Sequence, residues 1–390
     1  MKKNVLFYVA LCLATTLLML QLVGCQNSKV GNSALDKDES YSAASKMEIK
    51  YAKGFAVTQT KDGVKLVDVA SPQEESEAMP IDYHFALVPH DFAGTVPEGY
   101  SKVEVPISKT IVMTMLQLSN FTALDAHDVI KGITGTKNLY DEDILNRVKN
   151  GNIVKIGMEG EFDPELIMAA NPDVIFISPF KRGGYASIKE TGITLVPHLG
   201  YKELDPLGQA EWIKFIGLFI GKEAQADSIF YGIERRYNDA KALASGAEQK
   251  PTVFSGEMHG GNWFAVGGKN HLAQMFRDAG AVYVFDNDET GGVPVEFEQM
   301  YSAAADADYW RILNSFQGEF TYEALKASEP RNELFKAYRD KHVIYCNMRE
   351  TPYYELTPVE PDVVLKDLIA IFHPELMPAD YQPTYYRLLK

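Results

Sequence analysis

Phe162-Asp163-Pro164-Glu165-Leu166-Ile167-Met168-Ala169-Ala170-Asn171-Pro172-Asp173-Val174-Ile175-Phe176-Ile177 reads as a helix that hands over to a strand. Pro164–Ala170 fits the helix. Val174–Ile177 is apolar at every position, the pattern of a strand covered on both faces and not of one half exposed to water. Similar short runs stand around it: Thr110–Met115, Ile130–Thr134 and Ile153–Gly157 before, Ile193–Pro197 after, with helical patterns between them. Strand alternating with helix predicts a mostly parallel sheet.

Further along, Asp205-Pro206 is a helix start, an N-cap followed by proline at the first position. Trp212, Ile216, Phe219 and Ile220 keep helical spacing, and Gly221 ends the piece. A second helix runs from about Lys222 to Ala244, with Ala226, Phe230, Ile233, Tyr237 and Ala240 as its apolar stripe. Its length, roughly 35 Å, matches the width of a small lobe. Alternation then resumes at Thr252–Gly256, Ala281–Val284, Tyr309–Leu313 and Val343–Cys346. Upstream, Met47–Val69 reads as a hairpin around Lys61-Asp62-Gly63. The fold class expected is α/β: two Rossmann-like lobes with central, mostly parallel sheets, joined by one long rigid helix. The boundaries are 47–204 for the first lobe, 205–245 for the connecting helices and 246–390 for the second lobe.

The 390 residues, 46% apolar and 23% charged, are those of a globular chain and exclude a disordered or disulfide-stapled one. A formal charge of −15 argues against binding nucleic acid. The front end is different. Lys2-Lys3 precedes an apolar run from Val5 to Leu20, too short to span a bilayer but suited to a signal peptide. The run ends Leu22-Val23-Gly24-Cys25, which resembles the bacterial lipobox, whose Cys is acylated. Residues 1–24 are therefore expected to be removed, 25–46 to serve as a lipidated flexible tether, and the protein to be exported and anchored to the cell membrane, facing periplasm or exterior. Loss of Lys2 and Lys3 takes the charge to −17, and Cys346 is left without an intrachain disulfide partner. It is read as a buried thiol.

Motifs that would mark an enzyme are missing. There is no G-x-S-x-G, no H-E-x-x-H and no G-x-G-x-x-G after a strand, and Gly268-Lys269 lacks a glycine five residues earlier, where Trp263 stands. The eight histidines show no metal-ligand spacing. No catalytic residue, resident metal or cofactor is expected.

From Thr110 to the C-terminus the chain resembles the substrate-binding proteins of ABC importers for ferric siderophores, haem and cobalamin. Phe162–Ile167 with Asn171–Ile175 is similar to the family's N-L-E-x-I … L-x-P-D-L-V-I element. Val266-Gly267-Gly268, Ala273-Gln274-Met275 and Asp278–Ala281, ahead of Val295–Asp308, resemble its second-lobe element, and Tyr201–Lys222 looks like a D-P-L-G-x-A-E-W-I-K-F-I variant. The resemblance implies two lobes facing across a cleft, with Lys222–Ala244 as the connecting helix. It implies permease and ATPase partners, a small-molecule metal chelate as ligand, and a monomeric binding protein. It also implies one rim glutamate per lobe that pairs with permease arginines. Glu165 matches the first and Glu298 the second, with Glu296 close by. The plainer alternative is that both merely favour a helix N-terminus.

Ligands of open α/β sheets meet the loops at the carboxyl ends of strands. Those loops hold Gln117, Phe180, Lys181 and Arg182 in the first lobe, and His259, Trp263, Arg349 and Tyr353 in the second. Cations there favour an anionic chelate, and the aromatics suit stacking. Each has a plainer alternative: Lys181-Arg182 as a solvated pair, Arg349 bridged to Glu350 or Glu355, Trp263 in the core, His259 as an ordinary loop residue instead of a haem ligand. Tyr353 and Tyr354 cannot both face one way if their segment is extended. The expected ligand is an iron chelate, a ferric siderophore first, with cobalamin or haem as rivals. The alternative of a different class is an exported surface enzyme acting on a chelated metal or cobamide.

Overall fold

The computed structural model describes residues 43–73, 82–158, 161–179 and 185–390. Cys25 and the trio Phe180, Lys181 and Arg182 lie outside the described residues. Ala43–Val96 with Tyr100–Lys390 forms one unit, and all that follows lies within it.

The stretch that decided the fold closes locally as its residues dictate. The Asp163 carboxylate accepts from the Glu165 and Leu166 backbone N–H groups, Pro164 takes the first helical position, and the helix Pro164–Ala170 stops at Asn171 in the left-handed region. Asp173 then accepts from the Ser108 and Lys109 N–H groups, which sets Val174–Ile177 beside Thr110–Val112. These two strands are central in a five-stranded sheet, parallel throughout, that also holds Ile130–Ile133, Val154–Lys155 and Thr194–Pro197. All four residues of Val174–Ile177 are buried, as an apolar strand with helices on both faces requires.

The second lobe repeats the plan. Val282–Tyr283, Thr252–Ser255, Tyr309–Asn314 and Val343–Asn347 run parallel in that spatial order, and Arg387–Leu388 adds an antiparallel edge. Between the lobes, Asp205 caps the helix Pro206–Ile220 and Gly221, at φ +69°, ends it. Gly217 lets this helix approach Ala226 of the spine helix Glu223–Ser245. The spine buries Ala226, Phe230, Ile233, Tyr237, Ala240 and Ala244, and it is pinned to the second lobe by Tyr237–Asp278 at 2.8 Å and Arg236–Asp362 at 2.6 Å. The fold is α/β with parallel-rich sheets in two lobes.

Two features depart from expectation. The hairpin at Lys61-Asp62-Gly63 forms, but its strands are Phe55–Thr60 and Lys65–Ala70, and they belong to a five-stranded sheet with Asp82–Pro89, Ser101–Val105 and Ala43–Lys46, the last being the end of the expected 25–46 tether, which pairs with Phe55–Thr60 and is not flexible there. Residues 47–54 are not a strand: from Lys50 to Gly54, buried carboxylates take the backbone donors. Glu211 accepts the N–H groups of Lys50, Tyr51 and Ala52, while Glu203 accepts those of Lys53 and Gly54 together with the Trp212 indole. Phe55 and Phe85 of this sheet pack on Trp212, Phe215 and Phe219, so the helix Pro206–Ile220 is covered nearly all round. The second departure is a small antiparallel sheet, Glu257–His259, Asn262–Val266 and Gly292–Val295, whose Gly260-Gly261 turn has positive φ at both glycines.

Candidate functional site

The first parallel strand delivers the chain to Thr114, which caps the helix Met115–Ala123. The Thr114 hydroxyl accepts from the Gln117 N–H, and the Gln117 side chain accepts in return from the Met113 and Thr114 backbone. This reciprocal cap satisfies the helix start and turns Met115 and Leu116 toward the facing lobe. Ser178 follows the strand Val174–Ile177, and Tyr201 is tied to the Pro179 carbonyl at 2.8 Å. In the second lobe, Asn270 caps the helix His271–Asp278. There the chain also forms a short helix, Tyr353–Leu356, followed by a 3₁₀ turn, Thr357–Val359.

These elements enclose a pocket of about 380 Å³. Thr114, Met115, Leu116, Ser178, Tyr201 and Gln209 line it from one side, and His271, Leu272, Met275, Tyr353, Tyr354, Thr357, Pro358 and Val364 from the other. Its size is that of a small-ligand site. No charged side chain is among these residues; the polar groups are phenols, hydroxyls, one amide and one imidazole.

The charge lies one layer deeper. Arg311, 7% exposed, donates to the Tyr386 hydroxyl at 2.9 Å from Nε and contacts the Tyr353 and Ser255 hydroxyls at 3.5 Å. Tyr386 donates to Tyr353 at 2.8 Å. Among the described residues no carboxylate stands within ion-pair distance of Arg311, which is unusual for a buried guanidinium. His271 has its Nδ1 buried without a hydrogen-bond partner. Burial, assisted by the Arg311 charge, holds this imidazole down to about 4, so it is neutral at pH 7. Among the described residues there is no group of three His, Cys, Asp or Glu able to hold a metal ion by itself.

Of the residues singled out in the sequence, Tyr353 lines the pocket, and so does Tyr354. Their segment is helical, with the rings edge to face at 83°, so the objection that applied to an extended chain falls away. Gln117 does not reach the pocket: it is buried, spent on the helix cap and on Ser178 at 2.9 Å. Trp263 is a correction of the same kind. It is fully buried among Phe254, Phe297, Trp310 and Phe335, and its indole donates to the Ser255 carbonyl, because an apolar ring of that size is worth more in the second-lobe core than on a rim. Arg349 donates to the Ser315 carbonyl at 3.0 Å and lies off the pocket; Glu350 bonds Arg387 instead. His259 is exposed on the small antiparallel sheet, away from the pocket walls. Cys346 is buried, with its thiol pushed up to about 11. Glu165 and Glu298 are both exposed, each in the first turn of its helix.

Met115, Leu116, Tyr201, His271 and Met275 were not foreseen. The signals were present: Thr114-x-x-Gln117 is a capping box, and Asn270 is a helix cap three residues after Gly267. Read as helix starts, they place Met115, Leu116 and His271 in first turns and Met275 one turn beyond His271 on the same face.

Comparison with known proteins agrees with this geometry. The periplasmic binding protein family matches residues 112–349. An uncharacterised lipoprotein of Methanocaldococcus jannaschii is 29% identical over 290 residues, 71% of this chain and 68% of the relative. A crystal structure of a periplasmic haem-binding protein from Pseudomonas aeruginosa superposes with a TM-score of 0.58 at 17% identity, over 73% of this chain and 98% of that one. A TroA-like periplasmic binding protein, FepB, from Veillonella parvula gives 0.54 at 18% identity, over 73% of this chain and 95% of that one. The five-stranded sheet of residues 43–105 precedes the matched region. The matched family and both of these solved structures are binding proteins, and the chain belongs to the periplasmic binding protein family.

Proposed function

We propose that this protein is the substrate-binding lipoprotein of an ABC importer and takes an iron chelate into the pocket between its lobes. The observation that carries the reading is the pocket itself: it is built from both lobes, it lies past the carboxyl ends of parallel strands, and its walls are apolar with a few phenol, hydroxyl and imidazole groups. Such walls hold a preformed chelate better than a bare ion, which needs a charged ligand set. Lipid on Cys25 would keep the exported chain beside its permease, where tethering raises the local concentration of delivered ligand. Glu165 and Glu298 are the proposed contacts to permease arginines.

A ferric siderophore is the first reading of the ligand, because the Arg311 charge, one layer behind Tyr353, favours an anionic chelate. Haem or cobalamin is the second, favoured by the apolar walls and by the neutral imidazole of His271. The test is thermal unfolding of the protein with ferric catecholates, ferric hydroxamates, haemin and cobalamins. A true ligand at 100 times its Kd adds about 2.7 kcal/mol to the folded state and raises Tm by several degrees. No shift with any of them would refute the reading.

A further inference from the structure

Glu355 sits on the short helix that carries Tyr353 and Tyr354 into the pocket, yet its own carboxylate points away from the pocket walls to the other lobe. One oxygen accepts the Tyr140 N–H at 2.7 Å and the other accepts the Asp141 N–H at 2.8 Å. The residue is 3% exposed, and among the described residues no Lys, Arg or His stands within ion-pair distance. A buried carboxylate is costly unless its lone pairs are filled. Here the facing lobe fills them. The same place carries a second bond, Tyr140 hydroxyl to Met348 carbonyl at 2.9 Å, again first lobe to second.

A smaller contact of the same kind joins the lobes elsewhere. Gln73 accepts from the Thr290 hydroxyl at 2.8 Å and donates to the Lys202 carbonyl at 2.6 Å. Thr290 in turn accepts from Asn270, the cap of the helix bearing His271. Both contacts therefore lead, within a residue or two, to pocket walls.

We propose that Glu355 is a positioning residue of the binding site: its carboxylate clasps the Tyr140–Asp141 backbone and holds Tyr353, Tyr354 and Thr357 against Met115 and Leu116, so that the closed pocket is stabilised by the chain itself and ligand exchange requires this clasp to release. The inference uses the two-lobed pocket and is independent of which chelate fills it. A bond made only when the lobes meet lowers the closed state relative to the open one and nothing else.

The test needs no ligand, so its outcome is separate from that of the chelate screen. Amide hydrogen exchange is followed by mass spectrometry on the full chain, wild type against Glu355→Ala, Glu355→Gln and Tyr140→Phe. Residues 140–141 will exchange faster in Glu355→Ala simply because their acceptor is gone; the informative peptides are those of the pocket walls, 113–119 and 353–360. The expected result is exchange there at least about tenfold faster in Glu355→Ala. Glu355→Gln, which keeps one acceptor, should fall between, and Tyr140→Phe should show the smallest change, while strands Val174–Ile177 and Val343–Asn347 keep their protection. Wild-type exchange of both wall peptides in Glu355→Ala would overturn the proposal and reduce Glu355 to a local cap. If Glu355→Ala loses protection throughout by unfolding, Glu355→Gln decides in the same way: faster walls support the clasp, unchanged walls refute it.

Discussion

Arg331 donates from Nη1 to the Glu298 carboxylate at 2.9 Å and lies with its guanidinium 4.1 Å from the centre of the Phe297 ring. It also holds Glu329 through Nε and Nη2. One cation thus serves two carboxylates, and the surface around Glu298 keeps a negative charge. Glu165 differs: among the described residues none forms an ion pair with it, and exposed Leu166 and Met168 flank it. The two proposed docking points therefore differ in chemistry, one fixed in place by an arginine and one free beside apolar surface.

Exchanging both glutamates for lysine, Glu165→Lys with Glu298→Lys, is expected to abolish chelate uptake while leaving the chelate Kd within about twofold. Folding stability should change by less than about 1 kcal/mol, because both groups are exposed. Uptake by cells and equilibrium binding by the purified protein, measured on the same variant, separate the two effects. Lost binding with intact docking would refute the assignment.

Arg311 stands behind the pocket wall, with Nη2 3.5 Å from the Tyr353 hydroxyl. Arg311→Met removes the charge at similar length and leaves the Tyr353–Tyr386 hydroxyl pair in place. Affinity for a ferric tris-catecholate should fall by about tenfold or more, about 1.4 kcal/mol, with affinity for neutral cobalamin unchanged. The His271 imidazole, now held down to about 4 by burial and secondarily by Arg311, should titrate closer to its ordinary value, which proton NMR of that ring reads directly. An unmoved His271 would show that the Arg311 charge does not reach the pocket.

Acid should destabilise this fold through His198. Burial pushes its imidazole down to about 3; Nε2 stands 3.3 Å from the Asn120 amide, and Nδ1 has no partner. Unfolded, the ring titrates near 6.5. Between those values the unfolded chain binds the extra proton, so the stabilisation is complete above about pH 6.5 and is lost as pH falls toward 3, by up to roughly 4–5 kcal/mol. His198→Phe should flatten this part of the profile in urea unfolding followed from pH 7 to pH 4.5. An equal slope in both proteins would mean that His198 is not the group responsible.

Glu211 is fully buried, with three successive backbone N–H groups and the Lys214 ammonium directed at it. Glu211→Ala strands the three N–H groups, leaves Lys214 to Asp227 at 3.7 Å, and should cost about 3–5 kcal/mol by equilibrium denaturation. The loss should be concentrated in residues 47–54, seen as faster amide exchange there.

The parallel sheets were legible because buried strands and amphipathic helices write their periods into the sequence. Val174–Ile177 and the spine stripe through Phe230 and Tyr237 are examples, and Asp205, Pro206 and Gly221 mark helix ends by local chemistry. Residues 47–54 were misread because their partners are two carboxylates about 150 residues away, a relation no local pattern carries. The pocket was misplaced for a related reason. Loop polarity drew attention to Gln117, Arg349 and His259, whereas the walls include apolar first-turn residues, Met115, Leu116 and Leu272, with Met275 one turn further on. Apolar side chains at helix starts look like core in a sequence; only the facing lobe shows that they bound a cavity. Trp263 is the converse, an aromatic near a strand end that the second-lobe core claims.

The claim on which the rest depends is that the pocket between the lobes is where an iron chelate binds. Calorimetric titration of ferric siderophores, haemin and cobalamin into wild type and Met275→Trp, whose indole would fill the space, tests it most directly. The account predicts that one class binds wild type with a Kd near 1 µM or below, about −8 kcal/mol, and binds Met275→Trp about a hundredfold more weakly. Equal affinity for both proteins, or binding of none of these compounds to wild type, would contradict it.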